Sequence, residues 1–119
     1  MTTKEIALRL VALCREAKWE TAQRELFAEN AVSREPEPHP AFPQETRGRD
    51  AIIEKGRKFD SMIEKLNAVT VSDPIVADGA FSIVMGLDAV MKGQGPVKMN
   101  EICVYVVRDG KIASEQFFV

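Results

Sequence analysis

Histidine occurs once in this chain, at His39, and cysteine twice, at Cys14 and Cys103. One imidazole and two cysteines outside any Cys-x-x-Cys spacing do not make a zinc or cluster site, and both thiols read as reduced packing residues. No metal or other cofactor is expected. No apolar run approaches the roughly 20 residues needed to span a bilayer. The start Met1-Thr2-Thr3-Lys4-Glu5 lacks the basic end and apolar stretch of a secretory leader, so a cytoplasmic location is expected. Neither sign of charge dominates: 16 Lys and Arg stand against 18 Asp and Glu, which removes the electrostatic footprint of a nucleic-acid binder. Gly93-Gln94-Gly95-Pro96 joins two strand-like runs with no helix after it, so it reads as a hairpin turn and not a phosphate loop. No serine or cysteine has a neighbouring base that would make it a nucleophile.

What remains is the pattern of one ordinary domain spanning residues 1–119, long enough for a real core. Ile6, Leu10, Leu13 and Ala17 recur at helical spacing and predict a first helix over 4–17; a second is predicted over about 19–28. Ala31 to Glu35 reads as a short strand. Pro36, Pro38, Pro40 and Pro43 then enforce a loop, because each removes an amide donor and fixes φ. Ile52, Gly56, Phe59 and Ile63 carry a third helix to about Lys65. Arg47, Arg49, Lys55, Arg57 and Lys58, interleaved with Asp50, Glu54 and Asp60, read as its solvated face. From Leu66 onward the period is strand-like, in four runs (66–76, 80–92, 97–107 and 111–118) separated by turn residues, with Asp109-Gly110 the strongest hairpin signal. An antiparallel meander with three N-terminal helices on one face is the α+β arrangement this order implies.

The run Leu26-Phe27-Ala28-Glu29-Asn30-Ala31-Val32, the opening Gly48-Arg49-Asp50-Ala51-Ile52 and the closing Val107-Arg108-Asp109-Gly110-Lys111-Ile112 together resemble the nuclear transport factor 2-like superfamily, in its SnoaL-like branch. The resemblance implies a cone-shaped, strongly curved antiparallel sheet packed on the helices, a pocket at the open end and a homodimer joined through the sheet. That superfamily includes polyketide cyclases, ketosteroid isomerase, scytalone dehydratase and limonene epoxide hydrolase, so the fold does not name the reaction. The chain departs from the ketosteroid isomerase pattern, since its one tyrosine, Tyr105, is in a strand and not the first helix. It matches neither the Asp-Arg-Asp site of the epoxide hydrolases nor the histidine-assisted site of scytalone dehydratase.

Charged residues inside β-rich runs supply the candidates for chemistry. A carboxylate in an apolar cavity has its charged form disfavoured, so it can hold or accept a proton near neutral pH. Asp88 and Glu101 are the first candidates, with Glu35 at the pocket rim and Tyr105 as a donor to a carbonyl. Asp88 and Glu101 read equally as edge or interface residues, and a slip of one register position would exchange their faces. Pairing outward from Asp109-Gly110 places Tyr105 opposite Ser114 and Glu101 opposite Phe118, which puts Glu115 on the other face, within reach of Arg34 or Lys98 at a dimer contact. Trp19, Phe27, Phe59, Phe81 and Met85 are candidates for the ligand cavity, and His39 for proton transfer or ligand contact at its edge. Two functions follow: a pocket carrying out cofactor-free acid–base chemistry of the isomerase, cyclase or dehydratase type on a small apolar carbonyl or hydroxyl compound, or a non-catalytic small-molecule-binding or dimerisation module.

Overall fold

The computed structural model describes residues 1–119. Helices α1 (Thr3–Arg15), α2 (Trp19–Leu26) and α3 (Arg49–Ser61) pack on strands β1 (Phe27–Arg34), β2 (Glu45–Arg47), β3 (Ile63–Val71), β4 (Ile75–Val76), β5 (Ala80–Met91), β6 (Gly95–Arg108) and β7 (Lys111–Phe118). The strands form one curved, unclosed sheet in the order β2-β1-β7-β6-β5-β3, with β4 paired to β5. The antiparallel meander expected from the sequence is present as β3-β5-β6-β7. β1 extends it by pairing parallel to β7, which requires the chain to cross the whole domain, and local sequence carries no signal for such a contact. None of the helices is long and apolar enough to cross a membrane.

Local chemistry explains the boundaries. Thr2 accepts from the Glu5 amide while the Glu5 carboxylate accepts from the Thr2 amide, a reciprocal cap that satisfies two orphan donors at the start of α1. Asp109 (φ 52) and Gly110 (φ 73) both take positive φ, as the tight β6–β7 turn requires. Two sequence expectations are corrected. α3 ends at Ser61 and not near Lys65, because Ile63 pairs with Met91 and Lys65 with Val90 in the sheet, and that pairing outweighs the helical spacing of Ile63. The second helix ends at Leu26 and not near Ala28, and the first strand starts at Phe27 and not at Ala31, because Phe27 already pairs with Ile112; after the proline loop comes β2, whose Thr46 pairs with Ser33.

A third correction decides the site. The β6–β7 ladder begins as expected with Arg108 opposite Lys111, but Val107 pairs with Ile112 and Val106 with Ser114, so Ala113 is an extra residue. This β-bulge shifts the register by one, bringing Tyr105 opposite Glu115 and Cys103 opposite Phe117. Glu115 therefore shares the inner face with Glu101, Cys103 and Tyr105 instead of facing outward.

The apolar core lies between this inner face and the helices. α1 contributes Ile6, Leu10 and Cys14, the sheet contributes Phe81, Ile83 and Cys103, and all are buried. A cavity borders this core, with Met99, Glu101 and Tyr105 of β6 in its lining.

Candidate functional site

Between the sheet, the helices and the proline loop lies a cavity of about 500 Å³, within the range that holds small organic ligands. Its walls are chiefly apolar: Leu10, Trp19, Phe27, Phe59, Met85, Leu87, Met99 and Phe117 all line it. Carboxylates line it as well. Glu101 and Glu115 project from β6 and β7, and Glu35 enters from the residue after β1. Lys55 of α3 is the lysine among them.

These groups form a directional chain. Lys55 Nζ donates to Glu35 Oε1 at 2.9 Å and to Ser33 Oγ at 2.6 Å, and the Ser33 hydroxyl donates onward to Glu115 Oε2 at 2.7 Å. The Lys55 side chain is only 13% exposed and Glu35 26%, so this ion pair is largely withdrawn from water. An ammonium has three N–H donors, and two are engaged here, leaving one for a ligand. Glu101 lies apart from the chain; Cys103 Sγ, at 3.8 Å from its Oε1, is its hydrogen-bond partner.

The electrostatic consequence is unequal. Burial, then the charges of Glu35 and Glu115, push the Glu101 carboxyl from its ordinary 4.5 up to about 7, against weaker downward pulls from Cys103 and Lys55. Glu115 is also raised, by burial first and by Glu35, while Lys55 and Ser33 oppose the shift. Burial raises the Tyr105 hydroxyl well above its usual value, so it remains a neutral donor, with its ring stacked on Phe81 at 4.8 Å between centroids. Burial likewise pushes the Cys14 thiol up to about 12 and raises Cys103 further. Both sulfurs stay protonated and cannot act as nucleophiles at neutral pH.

Of the residues predicted from sequence, Glu35, Glu101, Tyr105, Trp19, Phe27, Phe59, Met85 and His39 all border this cavity. Two do not. Asp88 lies on the outer face, opposite Lys98 on β6 and Ala68 on β3, where it accepts from Asn67 Nδ2 at 3.4 Å. Phe81 is enclosed in the core against Tyr105. His39 borders the exposed part of the cavity, its Nδ1 accepting from the Ala41 amide at 3.0 Å and its ring tilted against Phe42. Sequence reasoning missed Ser33 and Lys55, and placed Glu115 on the wrong face. Lys55 lies three residues after Ile52 and four before Phe59, so it falls within the apolar stripe of α3; that position was the available signal. No three His, Cys, Asp or Glu side chains converge in a geometry that could hold a metal ion.

Comparison with known proteins agrees with this architecture. The family model described as SnoaL-like domain matches residues 1–119. A protein from Mesorhizobium loti, provisionally described as a SnoaL-like polyketide cyclase, superposes with a TM-score of 0.92 at 27% identity, covering 100% of both chains. A Bacillus subtilis protein provisionally described as an isomerase superposes at 0.72 with 25% identity, covering 98% of this chain and 88% of that one. A Catenulispora acidiphila protein with a ketosteroid isomerase-like fold, solved with trimethylamine, superposes at 0.74 with 23% identity, covering 99% and 87%. A search of curated proteins finds no match.

Proposed function

The chain belongs to the SnoaL-like domain family, whose fold it shares with polyketide cyclase-like and isomerase-like proteins, and from the chemistry of its cavity we propose that it catalyses cofactor-free proton transfer on a small apolar carbonyl compound. The observation that carries this reading is Glu101: a carboxyl held at about 7 inside an apolar cavity. Near neutral pH such a group is divided between its base and acid forms, which suits it to take a proton and return it. In the proposed step ionised Glu101 removes a proton from the carbon next to the carbonyl, and the electron pair moves onto the carbonyl oxygen. The neutral Tyr105 hydroxyl and the unused N–H of Lys55 are the donors available to that oxygen. Return of the proton to a different carbon completes an isomerisation; attack of the enolate carbon on a second carbonyl would complete a cyclisation. Cys103 and the Glu35–Lys55–Ser33–Glu115 chain hold the surrounding geometry.

The test is deuterium incorporation from D2O into a panel of small cyclic enones and β-diketones, followed by mass spectrometry. At least one compound should exchange faster with the protein than without it, and Glu101→Gln should slow that exchange by about 100-fold or more without loss of folding. Exchange that Glu101→Gln leaves unchanged would refute the assignment.

We also propose that two copies associate through the outer sheet face. Val84, Ile102 and Phe118 are each close to half exposed. Their register, Val84 opposite Ile102 and Ile102 opposite Phe118, makes them one apolar row across three strands. The same face carries the small Ser82, Gly86 and Ser114, and Asp88 opposite Lys98 towards one end, a self-complementary arrangement suited to a two-fold contact. Light scattering at micromolar concentration should give the dimer mass for the wild type and the monomer mass for Ile102→Glu; a monomeric wild type would contradict this.

A further inference from the structure

Charge is distributed unevenly inside the cavity. Lys55 is bonded to Glu35, so its charge is already balanced. Glu20, at another part of the wall, is bonded by Arg24 and Arg57. Glu101 and Glu115 have no cationic partner of their own: Cys103 donates to the first and Ser33 to the second. Glu115 is only 5% exposed and still lines the cavity, with its Oε2 engaged by Ser33. The walls of the same cavity also carry aromatic and thioether surfaces, including Phe27, Phe117 and Met85. Aromatic faces attract a cation through their quadrupole, and a carboxylate lacking a counter-ion attracts it more strongly.

We propose that this cavity also binds a ligand that carries an amine, held as its ammonium ion with the nitrogen against Glu101 and its apolar body against the aromatic wall. Such a ligand occupies the group assigned above as base, so it is distinct from the apolar carbonyl substrate and competes with it; the inference rests on that cavity being a ligand site, though not on proton transfer within it. An anionic ligand is disfavoured by the same geometry, because the charge of the one interior lysine is balanced by Glu35 and two further acids, Glu101 and Glu115, line the walls. The groups that set the field at Glu101 are Glu35 after β1, Lys55 on α3, Cys103 on β6 and Glu115 on β7. Because Glu101 must ionise to pair with an ammonium ion, amine affinity rises with pH through neutrality, and binding below that range releases a proton.

Three probes of one shape test this: 2-naphthylmethylamine, 2-naphthylmethanol and 2-naphthoate, titrated calorimetrically into the full chain at pH 6 and pH 8. The amine should bind at least tenfold more tightly than the alcohol at pH 8, with the carboxylate weakest. At pH 6 that advantage should shrink, and the binding enthalpy should depend on the buffer's ionisation heat. Glu101→Gln should lose the amine preference and still bind the alcohol. Equal or tighter binding of the alcohol or the carboxylate at pH 8, or no amine binding at millimolar concentration, would overturn the proposal. Alcohol binding without amine binding would do so while leaving the acid–base reading intact. Deuterium exchange unaffected by Glu101→Gln would refute that reading and leave the amine preference standing.

Discussion

Glu101→Gln is expected to make the protein more stable than the wild type at pH 8, by about 2–3 kcal/mol. A carboxyl raised in the folded state from 4.5 to about 7 binds its proton more tightly there than in the unfolded chain. Its favourable contribution is complete below pH 4.5 and is lost as pH rises through 7. At roughly 1.4 kcal/mol for each unit of pKa, the loss approaches about 3 kcal/mol. Glutamine keeps the shape and polarity but never ionises, so it avoids the loss. For a chain of this size the gain corresponds to a Tm increase of about 10 °C. The two proteins should converge below pH 4.5, where Glu101 is protonated in both states. Thermal melts across this range measure it; a variant less stable than wild type at pH 8 would show that the Glu101 charge is well solvated or paired. A functional group that costs stability in its working form is a common feature of active sites.

Lys55→Met is expected to have the opposite sign and a comparable magnitude, a loss of about 3 kcal/mol at pH 8. Methionine retains most of the aliphatic stem but removes the only cation bonded to Glu35 and the donor to Ser33. Removing one member of a mostly buried ion pair leaves the other charge desolvated and unpaired, which costs more than the intact pair contributed. The cost depends on pH, because Glu101 and Glu115, whose carboxyls burial already raises, can take up protons and so reduce the negative charge left without a cation. At pH 5 the deficit should fall to less than half. The Glu101 carboxyl should also titrate higher than in the wild type, since Lys55 pulls it down. Urea denaturation at both pH values gives the first result and NMR titration the second. A loss independent of pH would mean that Lys55 acts through packing alone.

The contrast between Lys55 and Glu101 shows what was legible in the chain. The helices, the four long strands and the Asp109-Gly110 turn follow from periodicity and turn chemistry, which are local properties. The parallel β1–β7 pairing is not local, and neither is the residue at which α3 gives way to β3; both depend on which segments meet in the sheet. Glu101 could be singled out because a carboxylate interrupts an apolar run. Glu115 interrupts one too, but its face is set by an extra residue at Ala113, and nothing in Lys111-Ile112-Ala113-Ser114 marks a bulge. Alternation alone therefore sent it outward. Asp88 shows the same sensitivity in a longer strand: its parity places it beside Gly86 and Val90, opposite to Met85 and Leu87, and the observed register keeps it on the outer face. Lys55 was misread because charged helix residues are usually solvated, although its spacing from Ile52 and Phe59 put it on the buried stripe.

The most direct test of this account is a titration of Glu101 itself, by carbon-13 NMR of side-chain carboxyls in glutamate-labelled protein, with Glu101→Gln used to assign its resonance. The account predicts a midpoint near 7 that disappears in the variant. A midpoint between about 4 and 5, the range of an unperturbed glutamate, would mean that the cavity leaves this carboxylate ordinarily charged, and would contradict its role as a neutral-pH acid–base group.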